Sequence, residues 1–177
     1  MSEAVIYMFA MSLDGFIARP DGSFDWLNDY PADNDFDFDN FLRSITGIVM
    51  GRGTYDVVRR DGRWEYGRWP VTVVTTRPVA ELPENAVAHN GTPGELLSDL
   101  RFRGANGRIW LLGGGDLARQ FMEDGLLDVL EIGIIPVIIG SGVAAFGGAQ
   151  PDRWLDLDFV KPLANGAVHA RWRVRRP

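Results

Sequence analysis

The chain is predicted to be a three-layer α/β protein whose central sheet is mixed: mostly parallel, with antiparallel strands at its C-terminal end and helices on both faces. Three observations predict this. Residues 5–10, 71–76 and 109–112 are short, rich in β-branched side chains and apolar on both faces, the pattern of strands covered from both sides. Segments with helical apolar spacing stand between them. Val168, Ala170, Trp172 and Val174 instead alternate with His169, Arg171 and Arg173, the period of a half-exposed, antiparallel end strand.

Size and composition narrow the rest. A chain of 177 residues, 46% of them hydrophobic, suffices for one core and is short for two, so residues 1–177 are read as a single domain. The longest apolar run, residues 132–139, is broken by Gly133 and Pro136 and falls well short of the ~20 residues a membrane-spanning helix needs. The start, Met1-Ser2-Glu3, lacks the basic and apolar regions of a secretory signal, and there is no cysteine, which fits a reducing cytoplasm. A net charge of -6 argues against a nucleic-acid partner, since such binding is driven by neutralising phosphates with Lys and Arg. A small anionic ligand is still compatible, because a few arginines at one pocket dominate locally.

Each element has its own signal. Phe38, Phe41, Leu42 and Ile45 recur at helical spacing and lead into the apolar run Ile48-Val49-Met50, a helix followed by a strand. Thr92-Pro93-Gly94-Glu95 supplies an N-cap, a proline at the first helical position and the glutamate of a capping box, followed by Leu96, Leu97 and Leu100. Residues 116–122 put Leu117 and Phe121 on one helical face and stop at Asp124-Gly125. Residues 155–160 can pair with the final strand through a loop containing Asn165-Gly166, which tolerates positive φ.

Three segments carry chemistry. Met50-Gly51-Arg52-Gly53-Thr54-Tyr55 follows a strand and opens a helix capped by Thr54; Leu112-Gly113-Gly114-Gly115-Asp116-Leu117 repeats the arrangement. Backbone N–H groups at such helix starts, with glycine allowing close approach, bind anions. Two of them on one sheet can hold both ends of a pyrophosphate, although each alone reads first as a tight strand-to-helix turn. In the third segment, Thr75-Thr76-Arg77-Pro78, a buried strand ends in two hydroxyls and a guanidinium. Arg52 and Arg77 at the ends of neighbouring parallel strands suit a 2'-phosphate, which favours NADPH over NADH; the plain alternative is a pair of solvated arginines. Gly113, Gly115 and Ala118 also fit the G-x-G-x-x-A fingerprint, but too little chain follows, and its end is antiparallel, for a Rossmann fold.

Taken in order and spacing, Phe9-Ala10-Met11-Ser12-Leu13-Asp14-Gly15-Phe16-Ile17-Ala18, Val49-Met50-Gly51-Arg52-Gly53-Thr54-Tyr55, Thr75-Thr76-Arg77, Gly113-Gly114-Gly115 and Ile135-Pro136-Val137-Ile138-Ile139-Gly140-Ser141-Gly142 resemble the dihydrofolate-reductase-like superfamily. The resemblance spans nearly the whole chain. It is closest to the branch formed by the C-terminal reductase domain of bacterial bifunctional deaminase-reductases of riboflavin biosynthesis. It implies a cytoplasmic oxidoreductase with NADPH as cofactor, Ala10 and Ile17 lining the nicotinamide pocket and residues 14–18 forming a mobile substrate loop. It further implies that Gly51, Arg52, Gly53 and Thr54 hold the pyrophosphate and ribose. Thr75, Thr76 and Arg77 would bind the 2'-phosphate, and Gly113, Gly114, Gly115, Asp116 and Leu117 would close the other side, with Gly113-Gly114 as a cis peptide.

Hydride addition to C=N or C=O leaves charge on the heteroatom, so a proton source is wanted nearby. The resemblance places the acid near Asp35, with Asp37 and Asp39 as alternatives; a carboxyl among Phe36, Phe38 and Trp26 would hold a proton near neutral pH. An Asp-rich helix start serving the dipole is the competing reading. Asp14, Trp26 and Phe38 are expected to meet the substrate, and His89 and His169 are expected on the surface. The acids from Asp33 to Asp37 mimic half of a calcium loop, but Phe38 and Ser44 stand where glycine and glutamate are required, so no metal is expected. Dihydrofolate reductases carry a pterin-anchoring threonine near the positions of Ile132 and Gly133 here. A pyrimidine ribosylamine or pterin-like heterocycle is therefore the expected substrate class, with weak dihydrofolate reduction or noncatalytic dinucleotide binding as alternatives. Trp154 and Trp172, on expected exposed edges, can make a homodimer interface, and the resembled branch is commonly dimeric.

Overall fold

The computed structural model describes residues 3–28, 30, 37–60, 62, 64–148 and 152–176. In chain order the elements are β1 (Ala4–Ser12), β2 (Phe16–Ala18), α1 (Asp25–Asn28), α2 (Phe38–Ser44), β3 (Ile45–Gly51), α3 (Arg52–Arg60), β4 (Val71–Val74) and β5 (Ala86–His89). There follow α4 (Pro93–Phe102), β6 (Arg108–Gly113), α5 (Gly115–Glu123), β7 (Val129–Ile135), β8 (Val143–Ala144), β9 (Leu155–Pro162) and β10 (Val168–Val174). Eight strands form one sheet in the order β5-β4-β3-β6-β1-β7-β10-β9, and β2 pairs with β8 in a small separate ribbon. From β5 to β7 all neighbours are parallel; β10 runs antiparallel to both β7 and β9. This is the mixed α/β sheet with flanking helices that the apolar strands and the alternating C-terminus require.

Because the parallel strands are apolar on both faces, each face nucleates its own core. Val5, Tyr7, Val49, Ile109, Leu111 and Leu130 pack against Leu96, Leu97 and Leu100 of α4 and Leu117, Ala118 and Phe121 of α5. Ile6, Met8, Ile48, Met50, Val73 and Trp110 pack on the other face against Phe41 of α2 and Tyr55 of α3. The Thr92 capping box at α4 is complete, with the Thr92 side chain accepting from the Glu95 N–H and the Glu95 carboxylate accepting from the Thr92 N–H. No helix among the described residues is long and apolar enough to cross a membrane.

Several boundaries differ from expectation for local reasons. Ile45 opens β3 rather than closing the helix. α3 begins at Arg52, so Thr54 lies inside its first turn and is not its cap. β4 stops at Val74 because the Thr75 hydroxyl turns back on the chain, accepting from the Arg77 N–H at 3.1 Å and donating to the Arg77 carbonyl at 2.9 Å. Trp172 is half-buried against the α4/α5 core, whereas Trp154 is 74% exposed. The supposed polar face of β10 is folded over a buried acid: Glu131 of β7 accepts from Arg171 Nε at 2.8 Å and is bonded to His169 Nε2 at 3.0 Å. His169 is therefore not a surface residue, and its ring meets Phe159 edge-on.

Candidate active site

The glycine turns converge at the carboxyl ends of the parallel strands, where strand carbonyls stop and helix N–H groups begin. β3 passes into α3 through Gly51-Arg52-Gly53, and the neighbouring β6 passes into α5 through Gly113-Gly114-Gly115. The Gly113-Gly114 peptide is cis, and Gly113 has a φ of +127°. The two turns touch: a Cβ on Gly51 would stand 3.6 Å from the Gly113 carbonyl oxygen. A Cβ on Gly114 would stand 3.9 Å from Thr54 Oγ1 and 4.0 Å from Ile17 Cδ1, so Thr54 and Ile17 border the same glycines. α5 begins without a side-chain cap, its first turn facing this junction.

The third segment lies one strand further out. Thr76 and Arg77 are exposed at the end of β4 and line two adjoining clefts. The larger, about 300 Å3, also takes in Arg52, Gly91 and Gln120; the smaller, about 230 Å3, takes in Ala88, His89 and Asn90. Arg52 is already engaged, its Nε donating to Asp56 at 2.7 Å and its Nη1 to the Pro78 carbonyl at 3.0 Å. Thr75 spends its hydroxyl on its own turn, leaving Thr76 and Arg77 as the groups turned outward. Asp116 accepts from Arg119 and Gln120 on the outer face of α5, and Leu117 is core.

His89, Asn90, Gly91 and Gln120 line the clefts without a signal in the sequence that singles them out. His89 was expected in a surface loop. It instead ends β5, a strand of four residues, too short to show a period; only the Asn90-Gly91 pair advertised the turn. Gln120 looked like an ordinary polar position one turn into α5.

The opposite side of the junction is less polar. Ala10, Gly133 and His169 form one row across β1, β7 and β10, and a Cβ on Gly133 would stand 3.8 Å from the Ala10 Cβ, so the row is low at its centre. Trp26 of α1 is 7% exposed and packs with Ile135 and Ala10, its indole N–H without a hydrogen-bond partner among the described residues. Phe38 is 38% exposed at the start of α2 and meets Trp110 edge-on. Asp35 lies outside the described residues. Of its alternatives, Asp37 caps α2 by accepting from the Asn40 N–H at 2.9 Å, and Asp39 sits in the first turn. Burial works to raise the Glu131 carboxyl, but the hydrogen bonds from His169 and Arg171 outweigh it and hold it below the ordinary value.

The expected mobile loop is tied down in this structure. β2 pairs with β8, the Ala145 N–H donates to the Gly15 carbonyl at 2.9 Å, and the Asp14 carboxylate accepts from the amides of Ile139 and Gly140 at 3.3 and 2.8 Å. Asp14 thus joins the loop after β1 to the loop after β7. Tyr7 reinforces the strap from below, its buried hydroxyl donating to the Ala145 carbonyl at 3.0 Å.

Comparison with known proteins agrees with this architecture. YwjB of Bacillus subtilis (strain 168), an uncharacterized protein, is 31% identical over 148 residues, covering 82% of this chain and 84% of that one. The structure of a "Putative riboflavin biosynthesis protein" from Shewanella sp. PV-4 superposes with a TM-score of 0.83 at 27% identity, covering 99% of this chain and 100% of that one. Dihydrofolate reductase from Enterococcus faecalis, complexed with NADP(H) and RAB-propyl, shares the fold with a TM-score of 0.63 at 15% identity, covering 99% and 97% of the two chains. Residues 3–168 match the RibD C-terminal domain, and the chain belongs to that family, built on the dihydrofolate-reductase-like fold.

Proposed function

We propose that the protein is an NADPH-dependent reductase that delivers a hydride to a small heterocycle of the pyrimidine ribosylamine or pterin-like kind. The observation that carries this reading is the meeting of the Gly51–Gly53 and Gly113–Gly115 turns, with Thr76 and Arg77 one strand away. That spacing suits one dinucleotide lying across the strand ends. The first turns of α3 and α5 would take the pyrophosphate, with Thr54 beside them. Ala10 and Ile17 would wall the nicotinamide, which supplies the hydride when bound. Thr76 and Arg77 would take the 2'-phosphate, and Gln120, Asn90 and His89 would line the adenosine end. Arg52 contributes charge from its fixed position on Asp56, and Thr75 shapes the turn.

The substrate would lie over Ala10 and Gly133, under Trp26 and Phe38. Asp14 acts there by holding two loops together rather than by touching substrate. Asp35 is the proposed proton source. A noncatalytic dinucleotide-binding role is the second reading, favoured by one observation: Asp37, an alternative acid, spends its carboxylate on capping α2.

Titration with NADPH and NADH side by side, repeated on Arg77→Ala, tests the cofactor assignment. Tight NADPH binding that the variant loses supports it, and no binding of either nucleotide removes it. NADPH oxidation with pyrimidine ribosylamine and pterin substrates then separates the reductase from the binding module. We also infer a cytoplasmic homodimer joined through β9, whose edge is the only apolar strand edge among the described residues that carries an exposed tryptophan beside it.

A further inference from the structure

We propose that His89 is a protonation-dependent member of the phosphate site, so that preference for a 2'-phosphorylated dinucleotide strengthens as the pH falls through neutrality. The inference rests on the NADPH reading above and adds a regulation to it. His89 ends β5 and lines the smaller cleft beside Thr76, Arg77 and Asn90. Its Nε2 is buried and has no hydrogen-bond partner among the described residues. Buried ring nitrogens in folded proteins are nearly always bonded, so an unmatched one bordering a cleft points to a partner that arrives with a ligand.

The neighbourhood is arranged around that nitrogen. A Cβ on Gly91 would stand 2.8 Å from His89 Nε2 and 2.7 Å from Glu95 Oε2, so the bare glycine leaves the imidazole and the carboxylate facing one small gap. Glu95 is held there by the N–H and hydroxyl of Thr92. Gly91 in turn lines the larger cleft with Arg52 and Arg77. The charged groups around His89 are therefore Glu95 from α4 across the gap and Arg77 from the end of β4 in the shared cleft, with Arg52 of α3, itself paired with Asp56, in the adjoining one. A 2'-phosphate dianion placed among them would offer an acceptor oxygen to the Nε2–H of a protonated histidine.

Binding then takes up a proton, and linkage requires affinity to fall as the pH rises. Imidazole is the side chain suited to do this near neutrality. The phosphate monoester itself completes its second ionisation near pH 6 and so gives the opposite trend, tighter binding as the pH rises. The two contributions are separable because a variant without the imidazole keeps only the second. NADH, lacking the 2'-phosphate, has neither.

The test is a fluorescence titration of NADPH and NADH between about pH 6 and about pH 8.5 on the wild type, His89→Gln and Arg77→Ala, with the ligand-free melting temperature of each variant as a fold check. Wild-type affinity for NADPH is expected to drop by about tenfold across this range while that for NADH changes less than about twofold. His89→Gln gives a flat or rising NADPH profile, and Arg77→Ala binds NADPH more weakly at every pH but keeps the decline. Calorimetry of the wild type in buffers of different ionisation enthalpy reads proton uptake directly and needs no variant. Tight NADPH binding that is flat or rising with pH in the wild type, or a decline that survives in His89→Gln, overturns the role of His89 and leaves the cofactor assignment intact. Failure of NADPH to bind at any pH removes both.

Discussion

Gly115 lies against Ala144 so closely that a Cβ on it would stand 2.3 Å from the Ala144 carbonyl oxygen. The start of α5 and the β2–β8 ribbon are therefore packed backbone to backbone, with no room for even a methyl group. Gly115→Ala must push β8 from α5, and overpacking of this kind costs about 1–3 kcal/mol. The expected result is a lower urea midpoint with an unchanged slope, and weaker NADPH binding because Ile17 travels with β2. An unchanged midpoint would show that the ribbon yields freely.

Gly53 gives the opposite expectation. It sits within α3, and nothing lies within 4 Å of a Cβ there. Gly53→Ala should stabilise the free protein by up to about 1 kcal/mol through helix propensity. If Gly53 admits the pyrophosphate, the same variant binds NADPH more weakly, so stability and affinity move in opposite directions. Equal NADPH affinity in variant and wild type would take Gly53 out of the cofactor site.

The Glu131 carboxylate, bonded to His169 and Arg171, is a buried charge that contributes to stability against acid. Its folded value lies below the unfolded one, so its contribution is present above the ordinary carboxylate range and is lost as the pH falls through the folded value. Stability should therefore decline below about pH 4.5 in the wild type. Glu131→Gln keeps one acceptor oxygen but removes the charge shared by His169 and Arg171, at a cost of about 1–3 kcal/mol at neutral pH, and flattens that decline. Denaturant titrations at neutral and acid pH measure both effects, and parallel pH profiles in the two proteins would contradict this account.

These residues also show how much the sequence could tell. The glycine turns, the Thr92 cap and the two-faced strands were legible because each is a local rule: a φ, a cap, a period. Glu131 reads as one polar residue in an apolar strand, and its partners His169 and Arg171 look like the solvated half of an alternating pattern. Only the antiparallel pairing of β10 with β7 brings them together. β2, β5 and β8 are too short for any period to show, and β2 and β8 are defined solely by pairing across more than 120 positions. Of the candidate site, the glycine turns and the Thr76-Arg77 strand end were legible in the sequence, and the positions contributed by β5 and by the second turn of α5 were not.

Asp14 makes the tie between the loops after β1 and β7 sensitive to acid. The Ser12 hydroxyl, then the amides of Gly140 and Ile139, hold its carboxyl below the ordinary value, so the tie is intact at neutral pH and released as the pH falls through the folded value. Asp14→Ala should speed hydrogen exchange at Ile139 and Gly140 at neutral pH, with little change at Leu111 in the core. In the wild type the same two amides should lose protection on acidification before the sheet does. Exchange at Ile139 and Gly140 that is indifferent to both changes would remove Asp14 as the tie.

The edge of the sheet at β9 bears on the proposed homodimer. Leu155, Leu157 and Val160 are exposed and pair in register with Val174, Trp172 and Ala170 of β10, so they extend one apolar face outward from the core, with Trp154 beside it. Open strand edges and contiguous apolar patches are features that soluble proteins normally cover. A second copy applied about a two-fold axis covers both at once, because the patch then meets itself. Sedimentation equilibrium should give twice the chain mass for the wild type and the single-chain mass for Leu157→Asp, whose charge would be buried in the joint. NADPH affinity should survive in that variant, since β9 lies at the far edge from the clefts at β4 and β5. A wild type that sediments as a single chain at tens of micromolar would leave the patch without its partner and end this reading.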